Sequence, residues 1–152
     1  MTLTMIHAAV AALLVLAAIF DSKNAKIPNW LIGLFALVFI AQIILLPGSV
    51  DLIWQPVFAL CVLIAGFGLF ATGGFGAGAV KLMAVTALFM PLDRLGMLGL
   101  TLVAAVILSL FFFGLLRSMF GSESSSWKVL QSRIIPMAFP IAVTGIIGMF
   151  VL

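Results

Sequence analysis

Residues 3–20, 30–46, 53–71, 96–116 and 134–152 contain no Asp, Glu, Lys or Arg, and each is close to the length of a bilayer's hydrocarbon core. About 20 apolar residues cross that layer as a helix, with roughly 17 as the lower end. Inside lipid every backbone N–H and C=O must find a partner within the protein, which leaves helices as the natural form for such segments. A sixth stretch, 80–90, is shorter and stops at Pro91. It reaches spanning length only if the glycine-rich segment before it lends residues. Otherwise it is a short helix buried among the others, or a re-entrant one.

The chain is 66% hydrophobic and 7% charged over 152 residues, with a mean hydropathy of +1.45. A soluble domain is about half apolar, so the sequence predicts an all-α polytopic membrane protein. Its single membrane-embedded domain covers 1–152 with six transmembrane helices.

No lysine or arginine precedes the first run, whereas Lys23 and Lys26 follow it directly, the reverse of a secretory leader. The run reads as a retained helix with its N-terminus outside. The connections 21–29, 72–79 and 117–133 then face the cytoplasm, and 47–52 and 91–95 face the other way. Lys23, Lys26, Lys81, Arg117, Lys128 and Arg133 fall on the first side and Arg94 on the second, as the positive-inside rule requires. With an even number of spans the C-terminus is also outside. The net charge of +3 is explained by this bias, so nucleic acid is not indicated as a partner.

Several chemistries lack their residues. The lone cysteine, Cys61, gives neither a disulfide framework nor a multi-cysteine metal site and reads as packing. His7 stands on an apolar helix without a partner histidine or acid in the sequence around it, so no metal is expected. Ser22, Ser109 and Ser118 have no nucleophile-elbow or histidine context. GAGAVKL is not a phosphate loop, having neither the GxxxxGK[ST] pattern nor a preceding strand. The serine-rich stretch 121–132 reads as a cytoplasmic loop. The glycine pairs Gly74/Gly78, Gly96/Gly99 and Gly145/Gly148 are candidate sites of close helix approach.

The acids are few: Asp21, Asp51, Asp93 and Glu123. The last three fall in loops and read as solvated charges. Asp21 follows the first apolar run directly, where it either marks the end of the helix or is a site residue, since an ionisable group against hydrocarbon is costly. In KIPNW, residues 26–30, Pro28 forces Ile27 out of the helical region and opens the next helix, Asn29 is a candidate cap and Trp30 an interfacial anchor. The second unusual segment, GGFGAGAVKL at 73–82, lies at the same predicted face.

Asp21, six residues, then Pro28-Asn29, together with GAG, one residue and VKL at 76–82, resembles the type IV prepilin peptidases. These are membrane aspartic proteases of the GxGD type, and the likeness is to the small members serving Flp or Tad pili. It covers essentially the whole chain, including RIIPMAFPIAVTG at the start of the last run. The resemblance implies two catalytic aspartates, the first at Asp21 and the second at the position after Gly76-Ala77-Gly78. That position holds Ala79.

Two carboxylates within reach share a proton because both cannot ionise together, so one serves as base and the other as acid. With alanine at 79 the chain as written is expected to lack peptidase activity. Since Gly76, Gly78, Val80, Lys81, Leu82 and the Asp21–Asn29 segment all keep the pattern, a single aspartate-to-alanine change fits better than a drifted relative. The resemblance further implies pilin precursors as substrates, cut between a basic cytoplasmic leader and an apolar helix, and a bacterial inner membrane as the location. Lys23, Lys26 and Lys81 could orient such a substrate or follow the positive-inside bias alone. Gly76 and Gly78 would let its backbone approach, with Pro28 and Asn29 part of the first motif.

The larger relatives carry a cysteine-paired cytoplasmic insertion and methylate the product. This chain has neither the insertion nor the cysteines, so no cofactor is expected. The other function classes are a prepilin-binding membrane protein that does not cleave, and a small transporter, against which the scarcity of polar groups in the spans argues.

Overall fold

The computed structural model describes residues 2–73, 76–120 and 136–151 and is all-helical over them. Six α-helices follow in order: α1 (Thr2–Asn24), α2 (Asn29–Leu45), α3 (Trp54–Ala71), α4 (Ala77–Ala87), α5 (Leu95–Phe120) and α6 (Ala138–Phe150), with a 3₁₀ turn at Leu92–Arg94. Three segments are long and apolar enough to cross a membrane: Thr2–Asn24, Trp54–Ala71 and Leu92–Leu116. The helices Asn29–Leu45, Ala77–Ala87 and Ala138–Phe150 are shorter than that, which narrows the six-span expectation on length alone.

α1 does not end at Asp21 but runs on to Asn24. It closes at Ala25, whose φ of 52° is left-handed and whose N–H bonds the Asp21 carbonyl at 2.8 Å. Pro28, extended at φ −70° and ψ 142°, then starts α2. α3 closes at Gly73, whose φ of 77° suits glycine, and Gly76 leads extended into α4.

The helices alternate in direction. The end of α1 meets the starts of α4 and α6 at one end of the bundle. The start of α1, the ends of α2, α4 and α6 and the start of α3 meet at the other. α1 packs between α2 and α6, α6 also packs on α5, and α4 sits in the angle of α2, α3 and α6.

α4 is the most enclosed element, with Ala79, Val80, Leu82, Ala84, Thr86 and Ala87 buried. At about 1.5 Å per residue it is about 16 Å long, half the hydrocarbon thickness. It is thus the short helix buried among others, rather than a span in its own right. α3 and α5 are the opposite: Leu60 and Ile64 on one, and Leu100, Val103, Ile107, Leu108 and Phe111 on the other, are exposed. Helices apolar on every side yet uncovered suit a hydrocarbon solvent. Cys61 lies on this exposed surface of α3.

The glycine expectations divide. A Cβ on Gly145 would come within 2.7 Å of Leu14 and one on Gly148 within 2.7 Å of Leu98 and Met90, so α6 approaches its neighbours through both. Gly96 and Gly99 meet nothing within 4 Å and mark no close approach. Gly66, which carried no expectation, would meet Val80 at 2.7 Å and sets the approach of α3 to α4. Gly74, Glu123, Lys128, Arg133, the 121–132 loop and the first residues of the 134–152 run lie outside the described residues.

Candidate active site

Asp21, in the last turns of α1, lines a cavity of about 350 Å³ at the end of the bundle. Lys26 and Ile27 reach the same cavity from the α1–α2 connection, and Gly76, Gly78 and Ala79 reach it from the start of α4. The two sequence segments that carry the resemblance therefore meet in space. Ala79 is 5% exposed and is the third residue of α4.

The Asp21 carboxylate is half-buried, and its Oδ2 accepts the backbone N–H of Ala138 at 2.9 Å. Ala138 is the first residue of α6, whose preceding residue Met137 offers no side-chain cap. The first N–H groups of a helix have no partner within it, so Asp21 supplies from α1 the acceptor that α6 lacks locally. The positive end of the α6 dipole favours a negative charge there.

α4 begins in the same way, with Gly76 at its cap position and no side-chain cap. Its first residues, Ala77, Gly78 and Ala79, border the cavity as well. The cavity thus lies between two helix N-termini, with one carboxylate in place and a buried methyl where position 79 faces it.

The remaining motif residues hold the frame. Lys81 Nζ donates to Asn29 Oδ1 at 3.2 Å and ties the second turn of α4 to the first residue of α2. Asn29 is accordingly not the cap of α2, where Pro28 occupies the cap position without a side-chain bond. A Cβ on Gly78 would meet Ile27 Cβ at 3.2 Å, so this glycine serves a close approach between α4 and the α1–α2 connection. One on Gly76 would meet nothing within 4 Å, which leaves the backbone there open to a ligand. Lys23 is exposed near the end of α1 and is not among the cavity residues. Trp30 is also exposed, and its ring packs edge-on against Phe20 at 5.9 Å.

Asp51 and Asp93 are at the opposite end, exposed. Asp51 Oδ1 accepts the N–H groups of Ile53 and Trp54 at the start of α3, and Asp93 pairs with Arg94 at 3.6 Å. Neither can stand in for an acid at 79. Ser109 and Ser118 donate to carbonyls of their own helix, at 2.6 Å to Ala105 and 2.8 Å to Leu115, as hydroxyls in apolar helices do. Among the described residues no three His, Cys, Asp or Glu side chains gather as a metal group.

Three participants were not anticipated: Ala138, Met137 and Ala25. The missing local cap of α6 was the available signal for the first two, because residues just before 138 include no Ser, Thr, Asp or Asn. The left-handed Ala25 had none, since alanine does not favour that conformation. No family model matches the chain, and neither a curated protein nor a solved structure matches it.

Proposed function

We propose that the chain is a polytopic bacterial inner-membrane protein of prepilin-peptidase architecture, in which Asp21 and position 79 form the two halves of an aspartic site. The supporting observation is that Asp21 and Ala79, far apart in sequence and on different helices, line one cavity together with Gly76. The uncovered apolar exteriors of α3 and α5 support a bilayer setting. Lys23, Lys26 and Lys81 sit toward the Asp21 end and Arg94 at the other, which supports a cytoplasmic site.

With aspartate at 79 the chemistry follows from the shared proton. The ionised carboxylate takes a proton from water as its oxygen attacks the scissile carbonyl carbon, and the protonated carboxyl donates to the carbonyl oxygen. Collapse of the tetrahedral species breaks the C–N bond, and the departing nitrogen takes up a proton. A pilin precursor presents this bond where its basic leader meets its apolar helix. With alanine at 79 only one carboxyl is present, so the chain as written binds the precursor without cutting it. The half-buried Asp21 keeps a backbone partner with alanine at 79.

The test is to reconstitute the full chain, its Ala79→Asp variant and the Asp21→Asn/Ala79→Asp double variant with a Flp-type pilin precursor. Leader removal by Ala79→Asp alone is expected, a gain of at least about 10²-fold over either other protein. Failure of a folded Ala79→Asp protein to cleave would remove the two-aspartate reading, and intact precursor co-purifying with it would leave the non-cleaving binding protein.

A further inference from the structure

Four hydroxyl residues are buried among the described residues: Ser22, Thr86, Ser109 and Thr144. Thr86, Ser109 and Thr144 each donate to the carbonyl four residues earlier, at 2.8, 2.6 and 2.9 Å, the usual resolution of a hydroxyl in an apolar helix. Ser22 is 7% exposed, and its hydroxyl has no hydrogen-bond partner among the described residues. It also differs from the amides at the other end of the bundle. There Gln42 Nε2 donates to Ser49 Oγ at 3.5 Å, but Gln42 Oε1 and Gln55 Oε1 are sealed in the packing without a donor among the described residues. The Ser22 oxygen is not sealed in that way.

Ser22 lines a cavity of about 380 Å³. α1 and α5 both pack on α6, and the cavity is the crevice between them. Ala18 and Ser22 of α1, Phe113 and Leu116 of α5, and Phe139 and Val143 of α6 line it, and Ser22 is the only polar residue in the lining. An apolar crevice with one open hydroxyl matches an amphiphile, a long apolar chain with a hydrogen-bond acceptor at its polar end. The interior carbonyls of a peptide helix are already bonded to their own helix. The ester carbonyl of a phospholipid is free to accept and lies at the edge of the hydrocarbon layer. That is the depth of Ser22, just beyond the apolar run 3–20.

Charge selects the headgroup. Ser22 and Leu116 are followed directly by Lys23 and Arg117. The neighbouring acid, Asp21, belongs to the other cavity, where it bonds Ala138. Basic residues beside a crevice between membrane helices attract anionic lipid headgroups.

We propose that this crevice holds one anionic phospholipid, with an acyl chain between α1 and α5, an ester carbonyl accepting from Ser22 Oγ, and the phosphate on the side of Lys23 and Arg117. The proposal needs a bilayer around the protein, and it is independent of what Asp21 does.

The test is thermal unfolding of the lipid-depleted full chain in detergent with phosphatidylglycerol or phosphatidylcholine of the same acyl chains, the bound lipid being counted by native mass spectrometry. One retained phosphatidylglycerol and a rise of about 2–4 °C over phosphatidylcholine are expected. Ser22→Ala is expected to lose at least half of that rise, yet to match or exceed the unsubstituted chain in lipid-free detergent, where its hydroxyl has no partner. Lower stability of Ser22→Ala in both conditions would assign Ser22 to packing alone and overturn the proposal. Ala18→Trp fills the crevice and is expected to abolish lipid retention, with Val143→Phe as the second filling variant should the first not fold. An equal response to both lipids, none to either, or retention that survives both Ser22→Ala and a folded filling variant would overturn the proposal. So would dimerisation that the filling variant abolishes, which would give the crevice to a second copy of the chain.

Discussion

At one end of the bundle a carboxylate from α1 has a backbone N–H to bond, and at the other two amide oxygens have no donor among the described residues. Both ends are made of apolar helices closing around a small polar cavity, so the difference lies in what faces each opening. The Asp21 end presents helix N-termini, which supply N–H donors and favour an anion. At the Gln42 end two side-chain acceptors are sealed in the packing without a donor among the described residues. Placing polar groups in an apolar bundle is costly either way, and the two ends answer that cost differently. Asp21 is answered by a backbone N–H, and Gln42 only in part, through its Nε2 bond to Ser49.

The sharpest break of this contrast comes from adding one methyl group at each end. Gly66 meets Val80, a fully buried β-branched side chain beside Ala79, which has little freedom to move aside. Gly148 meets the thioether of Met90 and the tip of Leu98, and methionine adapts readily. Gly66→Ala is expected to destabilise the protein by about 1–3 kcal/mol. Gly148→Ala is expected to cost less than half of that in the same denaturation assay. Equal losses would mean that the two ends are packed with the same stiffness.

How far the sequence could be read follows the same division. The run lengths showed an all-helical chain and the shortness of 80–90, because apolar length and Pro91 are local properties. The shared face of Asp21 and Ala79 was legible from the alternation of helix direction. What was not legible depended on contacts between distant segments. Asn29 has the composition of a cap but bonds Lys81 instead, and the Asp21 partner is a backbone group on α6. Gly66 matters through the side chain of Val80, whereas the spaced pair Gly96 and Gly99 faces open space. Spacing identifies where close approach is allowed, and only the neighbouring helix decides where it occurs.

A smaller effect tests the partner at the Asp21 end. Asp21→Ala removes the acceptor from the first amide of α6 and is expected to lower stability by about 1 kcal/mol, the usual value of a lost helix cap. Asp21→Asn keeps an oxygen acceptor and is expected to recover part of it, as judged by urea or thermal denaturation in detergent. No loss in either variant would show that the Ala138 bond carries no stability.

The smallest effect has the opposite sign and belongs to the other end. Gln42→Leu removes a buried oxygen that has no partner among the described residues, at the loss of the long Nε2–Ser49 bond, and is expected to raise stability by up to about 1 kcal/mol. The same substitution is expected to leave precursor cleavage by Ala79→Asp unchanged. A fall in stability would mean that the Ser49 bond, or a partner for Oε1, outweighs the relief of removing the buried oxygen.

The central claim is that positions 21 and 79 face each other across one cavity. It is tested by cysteines at both positions in a Cys61→Ser background, treated with a short bismaleimide in native membranes. The account predicts efficient cross-linking between 21 and 79 and none between 21 and a cysteine replacing Asp51. Absence of the 21–79 link in folded protein, with both thiols reactive to a single maleimide, would contradict it.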